Sequence, residues 1–397
     1  MFTHVPAYAG DPILSLMDDF QHDPRPGKVS LSVGLYFDEQ GRLPVLQAIR
    51  RAEAQLAQHV LPCGYLPMEG AADYRAAVQT LVFGPEREAV QNGRIATLQS
   101  LGGSGALKVG ADFLRRYFPN AGVWVSDPTW ENHVAIFEGA GFQVGTYPYY
   151  DAATGALRFD AMLAAIRALP RGSIVLLHAC CHNPTGVDLS REQWQALIPV
   201  LLERGLIPFV DMAYQGFGDG LDEDAWPVRA LADAGAQCFV ANSFSKNFSL
   251  YGERCGALHA VCADAAAAQT VLGQLKATVR RNYSSPPTHG ARLIATVLQT
   301  PELLALWQQE LTAMRGRIQT MRAQLHDALR ARLPERDWSY LVTQRGMFSY
   351  TGLATAQVDH LRQQHAIYLV RSGRMCMTGL TPGNVAHVAQ ALAAVIG

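Results

Sequence analysis

The sequence predicts an α/β fold: a mostly parallel sheet with helices over both faces. Two observations carry this. From about residue 70 to about 260, short apolar runs alternate with helical segments. The polar clusters at Ser104, Trp130, Asn183, Asp211 with Tyr214, and Lys246 each lie just after such a run. Ligands bind at the carboxyl ends of strands in open α/β sheets, so these five loops are expected to share one cleft.

The elements follow in order. Residues 1–43 read as an irregular arm with one half-exposed strand, Val29–Val33, ended by Gly34 and a turn over Asp38–Gly41. Pro44 opens a helix through Gln58, and Cys63–Pro67 is loop. Asp73–Phe83 is helical. Ile95–Gln99 is a strand, Gly102–Gly105 a glycine-rich connection, and the following helix to Tyr117 places Leu107, Ala111, Leu114 and Phe118 on one core-facing stripe. Strands follow at Val123–Val125, Phe142–Val144 and Ile174–Leu177. The turn Asn183–Gly186 leads to a helix over Ser190–Glu203, where Ser190 and Gln193 form a capping box. Ile207–Val210 is a strand ending at Asp211, and Cys238–Ala241 is another, running into Ser243–Arg254. From Pro301 to Leu333, the residues Leu304, Trp307, Leu311, Met314, Ile318, Met321 and Leu325 form a heptad seam. It suits a coiled coil or one long helix bridging two domains. Strands at Ser339–Val342, Met347–Tyr350 and Ile367–Val370 follow, with helices over Ala356–Gln364 and from Asn384. Residues 44–312 are expected to form a large domain. Residues 313–397 with the 1–43 arm form a smaller one.

Composition narrows the function. A chain of 397 residues with 17% charged and 49% hydrophobic residues has the profile of a compact enzyme. Its net charge of −1 offers no footprint for nucleic acid or an anionic membrane. No apolar run of about 18 residues is present, and Met1–Phe20 lacks a signal pattern. The seven cysteines include no Cys-x-x-Cys pair, so neither a disulfide framework nor a zinc site is expected, and a reducing cytoplasm fits.

Only four lysines occur, Lys28, Lys108, Lys246 and Lys276, against 29 arginines. Lys246 alone follows a strand into the expected cleft, flanked by hydroxyls. A desolvated lysine amine can form a Schiff base with a carbonyl cofactor. Gly102-Gly103-Ser104-Gly105 suits a phosphate at a helix start, or equally a tight turn. Asp211 needs a cationic or hydrogen-bonding partner, which a local salt bridge or helix cap also supplies. Tyr214 and Asn183 read as structural or functional, and Arg254 and Arg374, beside glycines, as carboxylate binders or surface ion pairs. His133 and His178 lack metal-ligand spacing. A lysine, a carboxylate for a ring nitrogen, a phosphate cradle and arginines together make up a pyridoxal 5'-phosphate site, with no metal.

Several segments carry a family likeness: Gly103–Leu107, Ser126–Trp130, His178 with Cys180–Gly186, Asp211–Phe217, Ser243–Gly256, Asn282–Pro287 and Ser372-Gly373-Arg374. In this order, across nearly the whole chain, they resemble the class I aminotransferases of the aspartate aminotransferase type. Tyr65–Gly70 and Gly102–Leu114 look closer to the bacterial aromatic-amino-acid (tyrosine) branch, although Arg371 stands where that branch often has a small residue. The resemblance implies fold type I of the pyridoxal-phosphate enzymes and transamination between tyrosine, phenylalanine or aspartate and 2-oxoglutarate. An aspartate-restricted enzyme is the alternative. It implies that Lys246 forms the internal aldimine and carries the Cα proton. Asp211 would pair with the pyridinium nitrogen, and Tyr214 and Asn183 would bond the phenolic oxygen. Gly103, Ser104, Ser243 and Arg254 would hold the phosphate, and Trp130 would pack on the ring. Arg374 would grip the substrate α-carboxylate, with Gly34, Trp130 and Asn183 also touching substrate. Tyr65 and Arg280 would reach the neighbouring site of a homodimer, Arg280 binding a side-chain carboxylate.

Overall fold

The computed structural model describes residues 2–7, 10, 12–58, 62 and 64–396. Its centre is a seven-stranded sheet. From edge to edge the strands are Ile95–Leu101, Cys255–Val261, Cys238–Ser243, Ile207–Met212, Ile174–His178, Val123–Asp127 and Val144–Pro148. All neighbours pair in parallel except Cys255–Val261, which runs antiparallel to both of its partners. The sheet is buried on both faces, and its side chains alternate between two apolar clusters. Val175, Leu177, Val210, Met212 and Val240 enter one cluster, while Ile174, Leu176, Phe209, Phe239 and Ala241 enter the other. Helix Gly102–Tyr117 packs on the two strands Cys238–Ser243 and Cys255–Val261. Its stripe of Leu107, Ala111 and Leu114 is buried as expected. Phe118 is not on that stripe: the chain leaves the helix at this residue, which is 43% exposed.

The long helix spans Pro301–Arg332, and its seam is filled by its own chain. Helices Gln47–Ala57, His289–Gln299 and Val385–Ile396 pack against it. Trp307 stacks on Phe248 at 4.4 Å between ring centroids, and its Nε1 donates to the Asn247 carbonyl at 2.7 Å. The helix thereby braces the residue next to Lys246. The expected capping box at Ser190 is present in full.

Other expectations needed correction. The arm contains a helix, Pro12–His22, with Pro12 at its first residue; the Lys28 ammonium closes its carboxyl end by donating to the carbonyls of Phe20, Gln21 and Asp23. The predicted strand Val29–Val33 is regular only over Val29–Ser30, paired with Ile367–Tyr368. Past Ser30, the Leu31 carbonyl accepts from Cys376 N–H and the Ser32 carbonyl from Arg374, so no regular ladder continues. Ile367–Val370 likewise stops at Tyr368. The helix expected from Pro44 starts at Gln47, because the Glu310 carboxylate accepts the N–H groups of Gln47 and Ala48. Phe142 closes the preceding helix by donating to the Phe137 carbonyl, so that strand begins at Val144. Residues Tyr340–Thr343 form a helical turn rather than part of a strand, started where Asp337 accepts from Ser339 N–H. Of the expected loop at Cys63–Pro67, Cys63 lies outside the described residues.

The antiparallel strand Cys255–Val261 seats the Gly102 turn. A Cβ on Gly256 would meet the Gly102 carbonyl carbon at 2.5 Å, the Gly102 oxygen at 2.6 Å and the Asn242 oxygen at 2.7 Å. These are backbone atoms with little freedom to move. Gly256→Ala is therefore expected to lower the unfolding free energy by about 1–3 kcal/mol, as overpacking does. Denaturant unfolding of both proteins checks this; equal midpoints and slopes would contradict the packing.

Candidate active site

The carboxyl ends of the strands open into one cleft of about 250 Å³. Gly34, Gly103, Ser104, Trp130, Asn183, Asp211, Tyr214, Ser243, Lys246, Arg254 and Arg374 all line it. Tyr65 and Arg280 do not. Tyr65 is 98% exposed, and Arg280 is exposed on helix Ala265–Asn282, where it donates to Ser284 Oγ.

Asp211 ends a central strand beside His178. Burial pushes its carboxyl up, but the hydrogen bond with His133 Nε2 at 2.8 Å, helped by the electrostatic influence of the neighbouring Lys246, holds it below the usual range. Thr129 Oγ1 holds the other ring nitrogen of His133 at 2.9 Å. His178 is buried against His133. Burial, then His133, push its pKa down to about 3 against the pull of Asp211, so it stays neutral. Ligand atoms of His133, His178 and Asp211 lie within 4.8 Å of one another, close enough for a metal; both His133 nitrogens are hydrogen-bonded, Nε2 to Asp211 itself, and both His178 nitrogens are buried without a partner among the described residues.

Lys246 follows strand Cys238–Ser243 and is half-buried, with Nζ 5.0 Å from the centre of the Tyr214 ring. Burial brings its amine from 10.5 down to about 8; Arg254 and Arg374 add to the fall, and Asp211 opposes it. The other lysines are engaged elsewhere: Lys28 on carbonyls, Lys108 on Asp112 and Lys276 on Glu69.

The glycine-rich connection proved to be helical. Gly102 begins helix Gly102–Tyr117, with no side-chain cap from Leu101, so the N–H groups of the first turn are left for another acceptor. Gly102 has φ +67°, and a Cβ there would meet Arg254 Nη2 at 2.9 Å. A Cβ on Gly103 would meet Ser243 Cβ at 3.1 Å. Arg254 itself adopts φ 52° and donates to the Tyr251 carbonyl at 3.0 Å. The result is a narrow cradle of bare amides, hydroxyls and one guanidinium, which suits a phosphate.

Arg374 is 3% exposed and has no carboxylate partner among the described residues. Nη1 donates to Asn183 Oδ1 at 3.2 Å and Nη2 to the Ser32 carbonyl at 2.9 Å, leaving Nε buried without a partner. Its guanidinium lies 4.5 Å from the Phe348 ring centre. A buried guanidinium in this state suits a carboxylate.

Ile13, Leu107, Ala213, Ser245 and Phe348 also line the cleft, and sequence reasoning did not assign them to it. Ala213 and Ser245 lie inside the singled-out stretches, so proximity could have found them. Leu107 lies inside Gly103–Leu107 as well, but its periodicity marked it as core. Ile13 and Phe348 carried no signal, because their approach depends on how distant segments fold back.

The Lys246 shift makes stability depend on pH. The folded value, about 8, lies below the unfolded value near 10.5, so between them the unfolded chain holds the extra proton. This group therefore makes unfolding free energy rise with pH across that window. Lys246→Met should flatten the rise in ligand-free protein, measured by denaturant unfolding from pH 8 to 10.5. Equal slopes would contradict the shift.

Comparison with known proteins shows the family. The profile described as Aminotransferase class I and II matches residues 26–392. The chain is 59% identical over 399 residues to the aromatic-amino-acid aminotransferase of Escherichia coli strain K12, with 100% of each chain covered. It is 50% identical over 396 residues to the aspartate aminotransferase of Pseudomonas aeruginosa, again covering 100% of each. The crystal structure of an aromatic-amino-acid aminotransferase from Burkholderia pseudomallei, covalently bound to pyridoxal phosphate, is similar with a TM-score of 0.98 at 52% identity over 100% of both chains. A half-buried amine, an ionised carboxylate and a guanidinium without a carboxylate partner among the described residues thus meet in a fold shared along its whole length with these enzymes, and the protein belongs to the class I and II aminotransferase family.

Proposed function

We propose that the protein transfers the amino group of tyrosine, phenylalanine or aspartate to 2-oxoglutarate, using pyridoxal 5'-phosphate, and is not restricted to aspartate. The observation that carries this is the Lys246 amine, held at about 8 in the same cleft as the ionised Asp211 and the unpaired Arg374. Relatives named for aromatic amino acids and for aspartate support both donor classes.

The cleft fits the cofactor. The uncapped turn at Gly102, with Gly103, Ser104, Ser243 and Arg254, would hold the phosphate. Asp211 would keep a proton on the ring nitrogen, Tyr214 and Asn183 would face the phenolic oxygen, and Trp130 would cover one ring face. Lys246 would hold the aldehyde carbon. Bound pyridoxal phosphate supplies a sink for the electron pair released at the substrate Cα. Arg374 binds the α-carboxylate in a two-bond fork beside Asn183, and Gly34 lets the backbone approach the substrate. Once the incoming substrate amine has displaced it from the aldehyde carbon, the Lys246 amine, titrating near working pH, would take the Cα proton and give it back on the cofactor side. Alternation of two substrates at one site gives ping-pong kinetics.

Ile13, Leu107, Trp130 and Phe348 give the cleft apolar walls, which favour an aromatic side chain by roughly 1.5–3 kcal/mol. Arg280 would serve dicarboxylates in the neighbouring subunit of a homodimer, with Tyr65 reaching the same site. The outward position of both residues supports that reading. Pairing of Val29–Ser30 with Ile367–Tyr368 supports a smaller domain built from residues 1–43 and 313–397, beside a cofactor domain over 44–312. No helix among the described residues is long and apolar enough to cross a membrane, and six described cysteines are free thiols, which supports a cytoplasmic site of action.

Steady-state assays with 2-oxoglutarate test the reading. Tyrosine, phenylalanine and aspartate should all yield glutamate; aspartate alone doing so would establish the restricted enzyme. Arg280→Ala should weaken aspartate and 2-oxoglutarate by roughly 2–5 kcal/mol while affecting phenylalanine less. Equal losses would remove Arg280 from the pocket.

A further inference from the structure

We propose that Arg322 is a positioning residue for the substrate-carboxylate site, acting through the chain segment that carries Phe348. Arg322 lies on the long helix, 3% exposed, and has no carboxylate partner among the described residues. A buried guanidinium is costly unless its donors are met. Here they are met by one segment. Nε donates to the Gly346 carbonyl at 3.3 Å. Nη1 donates to the Leu341 carbonyl at 3.0 Å and to Ser349 Oγ at 2.8 Å. Nη2 donates to the carbonyls of Gly346 at 2.9 Å, Phe348 at 2.5 Å and Arg345 at 3.5 Å.

That segment forms the floor of the carboxylate site on two sides. Phe348 places its ring 4.5 Å from the Arg374 guanidinium and meets the Tyr214 ring edge-on at 5.9 Å. The same ring packs so close to Gly34 that a Cβ there would sit 2.9 Å from Phe348 Cζ. Arg345 N–H donates to the Gly186 carbonyl at 2.7 Å, which ties the segment to the loop bearing Asn183, the partner of Arg374 Nη1. One guanidinium therefore fixes the ring beside Arg374 and, through Arg345, the loop that orients it. Arg322 does not line the cleft, so its effect on substrate passes through these groups. A lysine cannot replace it, because one nitrogen cannot span acceptors from Leu341 to Ser349.

The proposal rests on reading Arg374 as the carboxylate receptor, and the test separates the two. The probe is 3-phenylpropionate, an unreactive monocarboxylate, used as a competitive inhibitor of the holoenzyme. Arg322→Met and Arg322→Lys should each raise its inhibition constant and the KM for tyrosine by about tenfold, the scale of a small misplacement of a binding group. The maximal rate should fall much less, and the cofactor's absorbance titration should not move. Arg374→Ala is the control. If it leaves inhibition unchanged, the receptor reading fails. If it weakens inhibition while both Arg322 variants bind as wild type, the Arg322 proposal alone is overturned. Loss of maximal rate with unchanged inhibition in the Arg322 variants also overturns it. Should those variants not fold, Ser349→Ala removes one acceptor and should still raise the inhibition constant; an unchanged constant would overturn the proposal.

Discussion

The Asp211 charge is the constraint on which the cleft depends. Burial pushes this carboxyl up; the His133 hydrogen bond at 2.8 Å and the neighbouring Lys246 hold it below the usual range. Its charge in turn sets the balance at Lys246. Burial, Arg254 and Arg374 all favour the neutral amine, and Asp211 is the group that stops the amine from falling further. An amine near 8 is thus a compromise among four residues from three segments, Lys246 and Arg254 sharing one. Arg374 completes the arrangement as a buried cation without a carboxylate partner among the described residues, the group proposed to receive the substrate's carboxylate.

The fold delivers these groups by close approach. Helix Gly102–Tyr117 starts at Gly102 with φ +67°, a conformation that glycine adopts without strain, and strand Cys255–Val261 can lie beside that turn only because Gly256 lacks a side chain. The long helix serves the cleft from outside it. At one point it holds the Lys246 loop through Trp307, Phe248 and Asn247, and at another it holds the Phe348 segment through Arg322. Both are reached from a single rigid element.

Much of this was legible in the residues. The alternation of apolar runs and helices gave the central sheet, and polar residues placed just after strands gave Ser104, Trp130, Asn183, Asp211, Tyr214 and Lys246, six of the eleven candidate residues that the cleft brings together; Gly103 came with the glycine-rich run, Arg254 and Arg374 as arginines beside glycines, and Gly34 and Ser243 took their roles from the family likeness. Local rules sufficed where a signal is local, as in the Ser190 capping box. They failed where a distant group decides the outcome. Glu310 sets the start of the Gln47 helix, Arg374 interrupts the Val29 strand, and Lys28 stabilises a helix in an arm that reads as irregular. The antiparallel strand Cys255–Val261 and the approach of Ile13 and Phe348 had no periodicity of their own to reveal them. Tyr65 and Arg280 were legible only through family likeness, and their outward positions leave the cleft of a single chain without the group proposed for a side-chain carboxylate.

The most direct test of the central claim is single-turnover transfer by the cofactor-bound Asp211→Asn variant. Asparagine keeps the shape and loses the charge. Transfer from tyrosine should slow by about a hundredfold or more, the scale of removing one preorganised electrostatic partner, with the cofactor still bound. Transfer within about tenfold of wild type would contradict the account, because the charge at Asp211 would then not be what the cleft is built to hold.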